Sequence, residues 1–301
     1  MRKIIIDCDP GSDDAFALAL AIKSNVFDIR GITIVEGNVS LEDCARNTFK
    51  ILNLCGKDDI PVYKGLKSES NSSVDAMNVH GNNGLGGVEY EKIRRRVKSM
   101  SAIDYLIEEV NSNPKEITVI ALGALTNIAA AIKKDKLFAK NVQELVIMGG
   151  SSKEGNITPV AEFNFYKDPV AADIVLKTKF ESILVFGWNV TTTMPLLKKY
   201  EKKLYSSDKE LPRFLYDITR STAKHDKNAG YPAAIISDPI TIAYLIDSRV
   251  ARLRHANIKI DLTEENYGKS EVTYVDESNC RFAYMVDEER FYQILLENIS
   301  K

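Results

Sequence analysis

Asp7, Asp9, Asp13 and Asp14 fall within eight residues near the start of the chain, in Asp7-Cys8-Asp9-Pro10-Gly11-Ser12-Asp13-Asp14. The β-branched run Ile4-Ile5-Ile6 before them reads as a buried parallel strand. Pro10-Gly11 reads as a sharp turn, and Ser12 as the N-cap of a helix running on from Ala15 to Leu20. Asp9, Asp13 and Asp14 are thereby gathered where a strand hands over to a helix, which is where open α/β sheets bind ligands. Four like charges at one turn repel, and a helix N-terminus offsets only about half a unit charge. A hard divalent cation is the natural counter-charge. Asp13 or Asp14 alone would read as an ordinary cap; the grouping, with no basic residue among them, points to a metal or substrate site.

Other polar residues follow the apolar runs that read as strands. Asn38 follows the second, Leu122-Gly123 the run from Ile117, and Met148 closes the run from Glu144. The loop Gly155-Asn156 to Glu162-Phe163-Asn164 comes next, and Asp238 opens a later helix. In a parallel sheet such strand ends share one edge. Carboxylates with backbone and amide oxygens form an all-oxygen shell, which suits Ca²⁺ or Mg²⁺ and not zinc.

The elements that position these groups alternate along the chain. Strands are expected at 29–35, 61–63, 117–122, 144–148 and 183–186, with helices at 41–55, 126–134, 168–177, 212–224 and 238–247. Three late strands, 258–262, 271–275 and 281–286, read as antiparallel and edge-forming, before a closing helix at 288–298. This alternation predicts a single α/β domain over 1–301, with a mostly parallel, Rossmann-like sheet flanked by helices. Residues 65–90 interrupt it with a Ser/Asn-rich stretch and His80-Gly81-Asn82-Asn83-Gly84-Leu85-Gly86-Gly87, read as a mobile, functional loop.

Composition narrows the class. The 301 residues are 45% hydrophobic and 27% charged, enough for a large core. Forty basic against forty-two acidic side chains give a net charge of -2, which leaves no electrostatic footprint for nucleic acid or an anionic membrane. The basic cluster Lys92 to Lys98 reads as a solvated face. Cys8, Cys44, Cys55 and Cys280 have no metal-type spacing and fit a reducing cytoplasm, and no signal peptide or membrane span is read.

The opening motif resembles the signature of the inosine-uridine-preferring nucleoside hydrolases, calcium-dependent N-ribohydrolases. The resemblance continues in order through Glu36-Gly37-Asn38, His80-Gly81, Leu122-Gly123-Ala124-Leu125-Thr126-Asn127, Met148-Gly149-Gly150, Glu154-Gly155-Asn156, Ala161-Glu162-Phe163-Asn164 and Ser237-Asp238-Pro239, and covers nearly the whole chain. It implies that Asp9, Asp14, Asp238 and the backbone carbonyl of Leu122 hold Ca²⁺. It further implies that Asp13, Asn38, Asn156, Glu162 and Asn164 grip the ribose hydroxyls, with Met148 against the sugar and Asp9 as general base toward water. A small-molecule nucleoside is then the substrate, and by analogy the chain forms a homodimer or homotetramer.

Two positions depart from the best-studied branch of that family. Ser237 and Asn78 stand where it carries histidines, and serine cannot protonate a leaving base near neutral pH as imidazole can. The remaining imidazoles are His80, His225 and His255. His80 belongs to the shared loop motif, and His255 lies among the late strands. His225 is the candidate leaving-group acid, with Asp226 beside it favouring the protonated ring. The smaller Ser237 also enlarges the base pocket, so a base bearing a substituent, such as a modified 7-deazapurine, joins the candidates. Trp188 reads as core or pocket wall rather than a stacking platform. Two other functions share parts of the pattern. Haloacid dehalogenase-like phosphatases also open on strand and Asp-x-Asp but differ at Gly11, and a non-catalytic calcium-dependent nucleoside-binding protein would not need Asp9 as a base.

Overall fold

A computed structural model describes residues 1–301 except Glu69, Ser72 and Lys92. Its frame is one nine-stranded sheet. The strands are β1 (Arg2–Cys8), β2 (Phe27–Ile34), β3 (Val62–Lys64), β4 (Ile117–Ala121), β5 (Glu144–Met148), β6 (Ile183–Phe186), β7 (Ala251–Ile260), β8 (Ser270–Tyr274) and β9 (Cys280–Val286). They lie in the order β3-β2-β1-β4-β5-β6-β9-β7-β8. The first six pair in parallel, as the apolar runs require. Ile4, Ile5 and Ile6 are fully buried because helices cover both faces of the sheet, and each face has its own apolar cluster.

The strand order reverses at β1. The chain runs outward to β2 and β3, then returns to place β4 on the other side of β1. That reversal opens a crevice beyond the carboxyl end of β1, where Asp9 begins the turn into the helix Ser12–Ser24.

The late strands differ from the sequence expectation in two ways. β7 begins at Ala251 rather than near 258, because an irregularity between Arg252 and Leu253 breaks the alternation that would reveal it. β9 is not purely antiparallel: it runs parallel to β6 and antiparallel to β7, joining the β7-β8 hairpin to the parallel sheet. The helix Ala102–Ser112, capped by Ser101, lies outside the expected elements, although its cap followed three residues later by Asp104 is a readable start signal. The helix expected at 212–224 extends over Glu210–Asn228, and its last turn reaches the site.

The stretch expected to be a mobile loop is held by specific bonds. Gly81, Gly84, Gly86 and Gly87 all have positive φ, a conformation that non-glycine residues adopt at a cost. Asn83 Oδ1 accepts from the N–H groups of Leu85 and Gly87, while Leu85 is fully buried. Upstream, Ser68 donates to the Lys167 carbonyl and Ser70 to Asp168. In the basic cluster Lys92 lies outside the described residues. Arg94 and Arg96 are exposed, as expected, and Arg95 stacks on Phe49 and donates to the Ile60 carbonyl. Among the described residues no helix is long and apolar enough to cross a membrane.

Candidate active site

The turn after β1 is organised by Asp14. Its Oδ2 accepts from the Gly11 N–H at 2.9 Å and from the Asn38 amide at 3.2 Å, and its Oδ1 from the Asp9 N–H at 3.3 Å. Gly11, not Ser12, is therefore the N-cap. Asp14 satisfies its N–H by reaching back, and the Ser12 hydroxyl is free to donate to the Ile218 carbonyl.

Asp9 is 1% exposed. One oxygen, Oδ2, accepts from the Asn38 N–H at 2.8 Å, while Oδ1 is buried without a partner. Gly37 and Gly123 flank it so closely that a Cβ at either position would overlap the carboxylate. Their glycines are needed for this approach and not for φ.

A cavity of about 300 Å³ lies beside this turn, lined by Asp13 and Asn38 but not by Asp9 or Asp14. Asp13, Asn38, Leu122, Met148, Asn156, Glu162, Asn164 and Asp238 all line it. Glu162 caps the short helix Phe163–Lys167, accepting from Asn164 and Phe165 N–H groups and from Gly150. The Asn164 amide in turn donates to the Leu122 carbonyl at 2.7 Å and to the Met148 carbonyl at 3.1 Å. The Asn156 Oδ1 accepts from the Phe163 N–H.

His80 joins the loop to this turn. Its Nδ1 accepts from the Ser12 N–H at 3.2 Å, so the neutral ring carries its proton on Nε2, which stands 3.8 Å from Asp13 Oδ1. Burial holds its pKa below the ordinary value, against the pull of Asp13.

Further lining comes from the last turn of Glu210–Asn228 and the chain after it. Thr222, His225, Asp226 and Ala229 line the cavity at helical spacing. His225 and Asp226 were expected here; Thr222 and Ala229, which share their face, were not, although their spacing was a readable signal. Trp188 lies in the wall, edge-on to Tyr231 at 5.8 Å, as expected of a wall residue. Ser237 and Asn78 line the cavity, which places both departures at the site. His255 is exposed on β7, bonded to the Ser278 carbonyl and away from the cavity.

Charge is one-sided. Among the described residues lining the cavity there is no lysine or arginine. Burial, then repulsion from Asp14, pushes the Asp9 carboxyl well above its usual range. Burial, then Asp13 and Asp14, does the same to Asp238. Asp14 is raised to about 8 by burial and by Asp13, and Glu162 to about 7 by burial against its backbone donors. Oxygen-only donors, an orphaned Asp9 Oδ1 and mutually repelling carboxylates together fit a bound divalent cation.

The geometry sorts the expected ligands. Oxygens of Asp13, Asp14 and Asp238 lie within 4.8 Å of one another, which brings Asp13 into the cation-sized group. Asp9 falls outside that group because the Asn38 N–H and the two glycines hold its carboxylate. The Leu122 carbonyl already accepts from Asn164, leaving one lone pair.

Comparison with known proteins identifies the family. The inosine-uridine preferring nucleoside hydrolase family matches residues 4–293. Uridine nucleosidase 1 of Arabidopsis thaliana is 36% identical over 249 residues, covering 81% of this chain and 74% of its own. A plant nucleoside hydrolase structure superposes with a TM-score of 0.93 at 33% identity, covering 99% of both chains. The purine-preferring ribonucleoside hydrolase from Gardnerella vaginalis superposes with a TM-score of 0.92 at 29% identity, covering 99% of this chain and 98% of its own. The chain belongs to the inosine-uridine preferring nucleoside hydrolase family, enzymes that hydrolyse the N-glycosidic bond of ribonucleosides.

Proposed function

We propose that this chain releases the base from a ribonucleoside with Asp9 as general base toward water, in a site that binds Ca²⁺ through Asp9, Asp14, Asp238 and the Leu122 carbonyl, with Asp13 adjoining. The observation that carries this reading is the buried, unpartnered Oδ1 of Asp9, whose carboxylate is bonded to Asn38 in the wall of a cavity lined by acids and by no lysine or arginine among the described residues. A bound Ca²⁺ would supply the positive charge that keeps these carboxylates ionised, and would acidify and orient the attacking water.

The remaining work falls to the chain. Breaking the glycosidic bond builds positive charge on the ribosyl ring, which the carboxylates at the sugar end stabilise. Asn38, Asn156, Glu162 and Asn164 fix the ribose, with Met148 against it and Asp13 toward the hydroxyls. Asp9 takes the proton from water as oxygen bonds to C1′. His225 donates a proton to the departing base nitrogen, in the role for which serine at 237 is unsuited. His80 holds the loop over the site, and Ser237 leaves room for a base carrying a substituent.

The test is release of free ribose from a panel of uridine, cytidine, inosine, adenosine and a substituted 7-deazapurine nucleoside, with Ca²⁺ and with chelator. Turnover that requires Ca²⁺ supports the reading, and the ranking gives the base preference. Tight binding of a nucleoside without ribose release would instead make this a binding protein.

A further inference from the structure

Asp226 is buried at 4% exposure and uses both carboxylate oxygens. Oδ1 lies 3.0 Å from His225 Nδ1, and Oδ2 accepts from the Ile235 N–H at 2.8 Å. Its backbone carbonyl accepts from the Tyr231 N–H at 2.9 Å. Between these partners the chain leaves the helix Glu210–Asn228 and reverses at Gly230, whose φ of 95° suits glycine. It then runs through Ile235 and Ser237 to Asp238. One side chain therefore ties the imidazole to the segment that carries Asp238.

The bond pattern also fixes the ring. With Nδ1–H donated to the carboxylate, Nε2 is the nitrogen left for the cavity, and the carboxylate stands as counter-charge to a ring that carries protons on both nitrogens. A histidine whose side chain is 35% exposed would otherwise sample several rotamers and both tautomers.

We infer that Asp226 is a positioning residue for leaving-group departure, holding His225 with Nε2 toward the base. This rests on the reading of His225 as the acid. The step balances as follows: the C1′–N bond breaks with its electron pair going to the base, and the His225 Nε2 proton passes to that base. Water's oxygen bonds to C1′ and water's proton goes to Asp9. Exchange with solvent then moves a proton from Asp9 back to His225.

Asp226→Asn separates this role from a merely structural one. Asparagine keeps an oxygen for the Ile235 N–H, but its amide donates toward His225 Nδ1. The neutral ring then carries its proton on Nε2, and the imidazolium loses its counter-charge. Turnover is measured on a nucleoside that the enzyme cleaves and on p-nitrophenyl riboside, whose leaving group needs no acid. The expected loss in kcat on the nucleoside is about 10- to 100-fold. The loss on the nitrophenyl substrate is expected to be at least about tenfold smaller, which also shows that the variant is folded. The double variant with His225→Ala should be no slower on the nucleoside than His225→Ala alone. Equal losses on both substrates, or full activity of Asp226→Asn while His225→Ala is impaired, would overturn the inference. If His225→Ala is itself as active as wild type on the nucleoside, the reading of His225 falls, and this inference with it.

Discussion

One set of cavity groups, at the sheet end, follows the ends of β1, β2, β4 and β5, whereas the other, at the helix end, rides on the last turn of Glu210–Asn228 and on the segment after it, which carries Ser237 and Asp238. The sheet end is fixed by buried backbone pairing, and its side chains are further clamped: Asp9 by Asn38 and two glycines, Glu162 by three N–H groups. The helix end depends on a few side-chain bonds, chiefly those of Asp226. Both ends are buried: Asp9 and Glu162 at the one, Thr222, Asp226 and Ser237 at the other.

Substitutions at the sheet end should cost most. Asp9→Asn should lose at least about 10²-fold in kcat with a small change in KM, because an amide cannot accept water's proton. A variant with near-wild-type turnover would reduce Asp9 to a structural role. Asp14→Ala should lose Ca²⁺ binding and activity together, since it also removes the acceptor for three donors at the turn. Calorimetric titration with Ca²⁺ checks the first part and ribose release the second. Gly123→Ala, which adds one methyl against Asp9, should reduce kcat by about tenfold through misplacement alone. Unchanged kinetics would show that the clamp has slack.

The acids give the sheet end a marked pH signature; at the helix end burial raises Asp226 in the same direction. Asp7 is pushed up to about 7 by burial, against hydrogen bonds from Asn127 and Thr33, and Glu162 and Asp14 are raised to about 7 and about 8. In the unfolded chain these carboxyls return to values near 4, so between about pH 4 and 8 the folded state binds more protons than the unfolded state. Stability of the metal-free protein should therefore fall as pH rises through that window. Melting temperature in chelator should drop from pH 5 to pH 8, and the increment on adding Ca²⁺ should grow over the same range. A melting temperature that climbs from pH 5 to 8 in chelator would contradict this origin of the instability. The smallest effect is expected outside both regions: His255→Ala, exposed on β7, should leave kcat and KM unchanged and stability within about 0.5 kcal/mol.

Legibility in the sequence follows the same division. Ile4-Ile5-Ile6 with Asp9 and Asp14 was readable because a buried parallel strand writes its apolar run and its end directly into the chain. The strands at 144–148 and 183–186 fall at the expected residues for the same reason. The exposed start of β7 was not readable, since Arg252, Arg254 and His255 carry no apolar period. Asp13 was read as gripping ribose; that its oxygen also joins those of Asp14 and Asp238 was not readable, because spacing cannot say that two adjacent carboxylates both approach a residue far along the chain. The link from Asp226 to Ile235 crosses a turn whose geometry depends on Gly230, and no local pattern announces it.

The two margins of the sheet bear on self-association. β3 is only three residues long, and Lys98 already donates to its Val62 carbonyl on the outer side. At the far margin β8 is five residues long, with Glu271 opposite Lys259 on β7. Short rungs and charged cross-strand pairs make poor templates for adding another strand, so neither margin invites copies to zip together into a continuous β-structure. Any symmetric assembly of this chain is thereby directed to helix and loop surfaces. The same margins shield a concentrated solution of the folded protein from edge-to-edge aggregation.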